Sequence, residues 1–481
     1  MADEEILNAD GWLEKAKQTL AFLRLQPFDE STEEGRANER HRRVALTALA
    51  SASAKAISVL TALVAAPLAF NYLGEDRFGL WRTISSVILM LTFADLGVGS
   101  GLLNLISAAH GKSDRASAQK SVSSAFFLLS GIAVFLAVIF FILYPHMDWP
   151  RLLNVSSTDA ILEAGPAVFA FAVCFLINLP LGIIPRIQLG HQEGFINSVW
   201  AMGGNLLALG ALLVAMTLHA GLPWLVLAMA GAPVLATLFN GAILFSRRRP
   251  WLAPRWSEAR GEAIRSLFKL GAIFFVLQLS FAFSYTVDNL VISEIFKNQK
   301  LVAQYSLVAQ MFSFAPMILE MFLSPLWPAY AEAVARGDVA WVKKTLHRSV
   351  LMSVGFAAVV SLALVFFGDE ILRLWIRNEI HPPFLLLLGF GVWTVFSVAG
   401  NALAMFLNGS GAIKFQAACA VVLAVVGLMG KIVLAHRFGL AGIIWATVAA
   451  YFICVAMPMV FFIPRLLAQL QERSRGGTAP P

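Results

Sequence analysis

Six stretches of this chain lack Asp, Glu, Lys and Arg over distances long enough for a helix to cross a bilayer. They run over residues 121–147, 164–185, 194–246, 349–368, 381–413 and 438–464. About 20 uncharged residues suffice to cross the hydrocarbon core as a helix. The stretch 194–246 holds two such crossings, divided by the turn sequence LHAGLP at 218–223. The pattern therefore predicts an all-α polytopic membrane protein.

Composition agrees with this class and excludes several others. Charged residues are 14% of the 481 positions, whereas soluble domains carry about a quarter. The net charge of +7 follows from basic loops and needs no nucleic acid as a partner. Neither an HExxH metal motif nor a P-loop is present, and the loops are too short for a catalytic domain. We expect a protein that is not an enzyme and has no metal or cofactor.

Twelve transmembrane helices are predicted. They lie near 44–70, 78–108, 121–144, 161–185, 194–218, 222–246, 267–294, 301–331, 349–368, 383–407, 414–435 and 441–464. One alternating set of loops and both termini together carry 26 Lys and Arg residues, against 8 in the other set. Because basic residues accumulate on the inner side of a membrane, both termini are expected in the cytoplasm.

The segments outside the spans complete the expected domain organisation. Residues 1–43 form a cytoplasmic segment whose apolar residues recur every three or four positions from Ile6 to Leu23. This spacing predicts an amphipathic helix, either on the inner membrane surface or packed on a partner or on loops of the chain. An N-lobe at 44–246 is followed by a basic cytoplasmic linker at 247–266, a C-lobe at 267–464 and a disordered tail at 465–481.

Weak internal similarity predicts that the lobes are two six-helix repeats. HGKSDRASAQKS at 110–121 parallels ARGDVAWVKKTL at 335–346, and QLGHQEGFIN at 188–197 parallels LNGSGAIKFQ at 407–416. Since six is an even number of crossings, the halves run in the same direction, related by a pseudo-two-fold axis along the membrane normal. Transporters built in this way hold their substrate between the halves.

A few ionisable residues fall within the predicted spans, and at this depth they usually face a bundle interior or a water-filled cavity. The set comprises Lys55, Asp95, Asp288, Glu320 and Lys431, with Arg82 at a helix end. One interpretation is that they pair with each other, Lys55 with Asp95 for instance, and only hold helices together. The other is that the cations neutralise an anionic head group in a wet cavity, while the carboxylates take up protons or hold Na⁺.

The segment FADLGVGSGLLN at 93–104 contains one of these carboxylates, Asp95. At the repeat offset of about 226, Asp95 falls within one residue of Glu320. Gly97 and Gly101 stand four residues apart, a spacing that allows close approach of another helix. Prolines in the fourth and eighth spans, such as Pro180 and Pro325, predict kinks.

The sequence NYLGEDRFGLWRTISSVILMLTFADLGVGSGLLNLIS at 71–107 resembles the first hairpin of bacterial polysaccharide and O-antigen flippases. TVDNLVIS at 286–293, LSPLWPAYAEAVARGD at 323–338 and HQEGFIN at 191–197 are similar to further elements of that family. These flippases belong to the multidrug/oligosaccharidyl-lipid/polysaccharide exporter superfamily. The resemblance implies two lobes in a V around a central cationic cavity, with alternating access.

The resemblance also implies a cargo and a location. A polyprenyl-pyrophosphate-linked oligosaccharide would cross from the inner to the outer leaflet of the bacterial cytoplasmic membrane for surface polysaccharide biosynthesis. Lys55, Arg82 and Lys431 would bind the pyrophosphate, and Asp95, Asp288 and Glu320 would couple transport to Na⁺ or H⁺. Expected partners are this glycolipid, membrane lipids, and polysaccharide polymerase or assembly proteins. The alternatives are a cation-coupled exporter of drugs or other small molecules, and a membrane scaffold.

Overall fold

A computed structural model describes residues 26–29, 31–153, 157–297, 299–376 and 381–476, and all regular elements within these ranges are helical. The amphipathic helix predicted at 6–23 lies outside the described residues. The chain divides into two compact units, the first ending at Gly271 and the second beginning at Ala272. The turn Gly111–Ser113 is grouped with the second unit.

The first unit contains seven main helices and the N-terminal part of an eighth, α8, which continues into the second unit. These are α1 (Glu33–Leu91), α2 (Val98–Gly111), α3 (Arg115–Leu143), α4 (Thr158–Leu181), α5 (Ile183–Gly190), α6 (Gly194–Thr217), α7 (Leu222–Ile243) and α8 (Gly261–Phe296). Helices α6 and α7 pack along each other, and α1 packs along α6. Two clusters of buried aliphatic side chains form the core, one around Leu102 and Ile187 and one around Leu212 and Leu225.

The second unit contains the rest of α8 and eight further helices. These are α9 (Gln299–Phe312), α10 (Phe314–Leu323), α11 (Leu326–Ala335), α12 (Val339–Ile376), α13 (Phe384–Ser410), α14 (Ile413–Phe438), α15 (Leu440–Tyr451) and α16 (Met457–Gly476). Helix α12 packs along α13, and α14 along α15. Its core is aromatic as well as aliphatic, with Phe312 stacked on Phe390 at 5.9 Å between ring centroids.

The outward helix faces carry large apolar side chains. Leu374 is 83% exposed and Phe366 is 67% exposed. In soluble proteins, large apolar side chains with such exposure occur singly and not as a continuous surface. Ten segments in the described part of the chain are long and apolar enough to cross a membrane. An all-α polytopic membrane fold satisfies both observations, since a helix meets its own backbone hydrogen bonds in lipid.

The difference between ten segments and twelve predicted spans has two local causes. The last segment covers both α14 and the helices that follow it, which meet at Gly439, where φ is +62° and the chain turns back. The predicted span 78–108 is interrupted between α1 and α2. Helix α1 itself contains a break at Gly74, where φ is +76°. Helical elements therefore occupy all twelve predicted positions.

Two domain boundaries differ from those expected. The basic segment 247–266 packs against the first unit: Leu252 is fully buried in its core, and the backbone N–H of Arg255 donates to Ser123 Oγ at 3.1 Å. The predicted linker is therefore packed on the helices of the first unit. The predicted disordered tail begins too early, because α16 continues to Gly476.

Candidate functional site

Asp95 lies at a break in the membrane-spanning region and caps a helix there. A 3₁₀ turn over Thr92–Asp95 is followed by Leu96 and Gly97, both with positive φ, before α2 starts at Val98. The carboxylate of Asp95 accepts hydrogen bonds from the backbone N–H of Gly97 at 2.8 Å and of Gly99 at 3.3 Å. The first N–H groups of a helix have no partner within it, and an anion there also meets the positive end of the helix dipole. The carboxylate thus has a structural role.

The cation beside Asp95 is Arg186 in α5, which lies between the predicted spans 161–185 and 194–218. A Cβ atom built at Gly99 would lie 2.8 Å from Asp95 Oδ2 and 3.2 Å from Arg186 Nε. Glycine at position 99 therefore leaves room for the carboxylate and the guanidinium together. Lys55, the partner considered from the sequence, is exposed on α1 and makes no ion pair with a described residue.

The first residues of α2 also pack closely against the N-terminal part of α8. A Cβ built at Gly271 would lie 3.0 Å from the carbonyl oxygen of Leu96 and 3.1 Å from the backbone N of Val98. These are backbone atoms, so a side chain at position 271 has no flexible neighbour to displace. Gly101 comes similarly close to the backbone N of Gly271, at 3.5 Å from its built Cβ. The expected close approach at the Gly97–Gly101 segment is made with α8.

The second unit contains a buried ion pair between Asp288 of α8 and Lys431 of α14. Asp288 is 9% exposed and Lys431 is 2% exposed. Tyr305 Oη donates to Asp288 Oδ2 at 2.6 Å, and Lys431 Nζ also donates to the carbonyl oxygen of Ser284. Two of the predicted cavity residues are thus neutralised by each other. While this pair is intact, Lys431 is poorly placed to bind a pyrophosphate.

Glu320 in α10 accepts a hydrogen bond from the side-chain amide of Asn401 in α13. Four residues further, the chain breaks at Ser324 and Pro325 before α11 begins. The break after Asp95 in the first unit lies at a comparable position, as the sequence offset suggested. Arg82 lies in α1, and its side chain is outside the described part of the structure.

A cavity of about 580 Å³ lies within the second unit, between α8, α9, α13, α14 and α15. This volume falls in the range of about 300–1,000 Å³ typical of small-molecule sites. Aromatic rings form part of its lining, with Trp393 against Tyr451 at 5.3 Å between ring centroids. Asp288 is the only Asp, Glu, Lys or Arg among the described residues that line it.

Amide and hydroxyl side chains that are not among the predicted site residues complete the cavity lining. They are Asn289, Ser306, Ser313, Thr394, Ser397, Asn401, Gln416 and Thr447. Single polar residues within apolar spans are too common to identify a site without their three-dimensional placement. Only Asn289 carried a signal, because it adjoins Asp288 in the TVDNLVIS segment.

A polar cluster surrounds the HQEGFIN segment, between α5 and α6. His191 is 3% exposed, its ring packs edge-on to that of His110 at 5.0 Å, and Trp251 lies 6.4 Å away. Neighbouring Glu193 forms an ion pair with Arg249 at 2.7 Å. Burial, reinforced by the positive charge of Arg249, lowers the pKa of His191 to about 2. His191 is therefore neutral at physiological pH.

Solved structures share this fold. A MATE protein in a bent conformation superposes with a TM-score of 0.75 at 15% identity, covering 91% of this chain and 97% of that one. A MOP superfamily transporter from Pyrococcus furiosus gives 0.74 at 14% identity, over 89% and 96% of the two chains. A MATE transporter from Vibrio cholerae gives 0.74 at 12% identity, over 94% and 98%. These likenesses show that this chain shares the all-helical fold of those proteins.

Curated relatives match almost from end to end. A putative O-antigen export protein of Yersinia pseudotuberculosis is 23% identical over 442 residues, which cover 86% of this chain and 94% of the relative. A putative O-antigen transporter of Salmonella typhi is 22% identical over 407 residues, or 82% and 89%. The MatE family model matches residues 274–433. The polysaccharide biosynthesis protein model matches residues 47–334, more than half of the chain, and the chain therefore belongs to that family of multi-pass membrane proteins.

Proposed function

We propose that this protein is a flippase that moves polyprenyl-pyrophosphate-linked oligosaccharide from the inner to the outer leaflet. The observation that carries the proposal is the alignment with a putative O-antigen export protein over 86% of this chain and 94% of the relative. The alignment covers both units, and this favours a shared transport cycle more than a match to a fragment of the chain would. The proposal places the protein in a bacterial inner membrane with both termini in the cytoplasm, in agreement with the basic loops.

The pyrophosphate end of the cargo needs cations, and Lys55 is our first candidate. Its side chain is exposed within a membrane-spanning helix and makes no ion pair with any described residue. A lysine at this depth that lacks a protein partner is suited to an anionic ligand. Arg82 remains a second candidate on the same helix. We do not assign Lys431 to the pyrophosphate, because Asp288 already neutralises it.

We further propose that Asp288 and Glu320 carry the coupling to H⁺ or Na⁺. Both lie in the second unit, and both accept hydrogen bonds from neutral side chains, Tyr305 and Asn401 respectively. Protonation or ion binding at Asp288 would compete with its pairing to Lys431, so one event would change two buried charges. Asp95 has a weaker claim to coupling because its oxygens already cap α2.

Deletion of the gene tests the flippase. Pyrophosphate-linked glycan should accumulate on the cytoplasmic face of the membrane in the deletion strain. The accumulated intermediates are detected by lipid extraction, and their location is checked by whether periplasmic enzymes can ligate them. Complementation with Lys55→Ala should restore transport poorly, whereas Lys414→Ala, which removes another exposed lysine, should restore it fully. Normal surface polysaccharide and no accumulated intermediate, in a strain without a second flippase, would contradict the proposal.

The match of the MatE model to residues 274–433 favours a second candidate, a cation-coupled exporter of drugs or other small molecules. The two candidates differ in the phenotype of the same deletion strain. Increased drug sensitivity with unchanged lipid-linked glycans would favour the exporter.

A further inference from the structure

The cavity within the second unit provides few cations for an anionic ligand. Asp288 is the only Asp, Glu, Lys or Arg among the described residues of the lining, and Lys431, just outside the lining, is paired with it. Tyr305 donates its hydroxyl to the same carboxylate. A pyrophosphate, which accepts hydrogen bonds and carries negative charge, would meet a carboxylate and no free cation here. The cavity is suited to an uncharged ligand.

Several polar side chains of the lining have already used a hydrogen-bond donor within the protein. The hydroxyl protons of Thr394, Ser397 and Thr447 are already donated to backbone carbonyls of their own helices. Their oxygens therefore keep lone pairs but no free proton. Asn401 uses one of its two amide N–H groups on Glu320, which leaves its Oδ1 as an acceptor and its second N–H as a donor. These three hydroxyl oxygens and the Asn401 Oδ1 can therefore accept hydrogen bonds from O–H groups of a ligand.

Gln416 strengthens this conclusion. Its side chain is part of the lining and is 4% exposed, and its Oε1 has no hydrogen-bond partner in the structure. A buried amide oxygen without a partner costs free energy that a ligand O–H group would recover. Its position points to a ligand with hydroxyl groups.

Aromatic side chains in the cavity wall provide an apolar surface for a ligand. Trp393 is half-buried at the cavity wall, with Tyr451 edge-on to it at 82° between ring planes, and Phe390 lies on the same helix as Trp393. An aromatic face binds flat apolar surfaces, and a pyranose ring presents C–H groups on its faces and O–H groups around its edge. We propose that this cavity is a saccharide site that binds uncharged sugar rings of the transported glycan. The proposal rests on the flippase function and adds that sugar and pyrophosphate are recognised at different places.

The test uses the full-length protein purified in detergent and two separate probes. The first is the free neutral glycan, released by mild acid from the lipid-linked intermediates of the deletion strain, and the second is inorganic pyrophosphate. Binding is followed by tryptophan fluorescence and by calorimetry. Gln416→Leu should weaken glycan binding about threefold to tenfold, the range for one lost hydrogen bond, and leave pyrophosphate binding unchanged. Gln310→Leu, an exposed glutamine outside the lining, is the matched control.

A stability measurement separates recognition from a structural role. Without ligand, Gln416→Leu removes an unsatisfied buried oxygen and should unfold no more easily than the wild type. Ser397→Ala provides a smaller change at the same cavity if the leucine variant does not fold, and it should also weaken glycan binding. If both cavity variants bind the glycan as tightly as the wild type, the saccharide site is overturned. It is also overturned if the variants lose pyrophosphate binding as much as they lose glycan binding. Accumulated lipid-linked glycan in the deletion strain would still support the flippase in that case.

Discussion

Removing one member of the Asp288–Lys431 pair should destabilise the protein far more than removing both. Asp288→Asn keeps an oxygen that can accept from Tyr305 but removes the charge, and Lys431→Met keeps the length of the aliphatic stem but removes the ammonium. Each single variant leaves one buried charge without its partner. The double variant leaves none.

The size of the effect follows from the burial of the two groups. Lys431 is 2% exposed and Asp288, which lines the cavity, is 9% exposed, so hydration compensates little for a lost partner, and less at Lys431 than at Asp288. Breaking a buried pair in this way costs about 3–5 kcal/mol, while replacement of both charges is often close to neutral. The two single losses would sum to about 6–10 kcal/mol, and the double variant should recover most of that sum.

The assay is unfolding of the purified protein by titration of a denaturing detergent into a mild one, followed by tryptophan fluorescence. The exposed pair Asp369–Arg373, joined at 2.6 Å in the same unit, serves as the control cycle. Its coupling should stay below about 1 kcal/mol, because solvent screens exposed charges. A double variant of the buried pair that is as unstable as the sum of its singles would refute the reasoning. If the pair also couples transport, the double variant should be stable yet fail to complement the deletion strain.

Three further predictions concern the first unit. Asp95→Ala should lower the free energy of unfolding by about 0.5–2 kcal/mol through loss of the α2 cap, whereas Asp95→Asn keeps a capping oxygen and should cost less; an Asn variant that is stable but inactive in complementation would show that the charge itself is needed. Gly271→Ala should destabilise the protein, because its Cβ meets the backbone near Leu96, while Gly355→Ala, with nothing within 4 Å, should be neutral or stabilising; equal effects in the two variants would contradict the close packing. The pKa of His191 is about 2 in the folded protein and near 6.5 when unfolded, so the unfolded state takes up a proton that the folded state does not. Stability should fall below pH 6.5 by up to about 1.4 kcal/mol per pH unit from this group, and His191→Gln should fall less steeply; identical acid slopes in detergent unfolding would exclude the buried neutral histidine.

Most of the fold was predictable because membrane-spanning helices depend on local composition. Any uncharged stretch of sufficient length must form its own hydrogen bonds in lipid, and the helices indeed occupy the predicted positions. The less accurate predictions lie at the edges of the spans. Leu252 is buried within the basic segment predicted as a cytoplasmic linker, and α16 continues past residue 464, where the last span was predicted to end.

The candidate site was only partly predictable, for a different reason. Asp95, Asp288, Glu320 and Lys431 were recognisable as ionisable residues within apolar spans, but their partners were not. Arg186 lies beside Asp95 although its position falls between two predicted spans, and nothing in the sequence distinguishes Gln416. The pairing proposed for Lys55 and Asp95 does not occur between the described side chains.

The sequence by itself determined that this chain is a helical membrane protein with two similar halves, and which of its residues are costly to bury. Those properties follow from the composition of each segment and from the price of an unsatisfied polar group in lipid. Only the tertiary structure decided that Asp288 neutralises Lys431, that Asp95 caps α2, and that Gln416, in the lining of a cavity, has a buried amide oxygen without a hydrogen-bond partner. Such pairings join residues far apart in the chain, because the packing of whole helices sets which side chains meet.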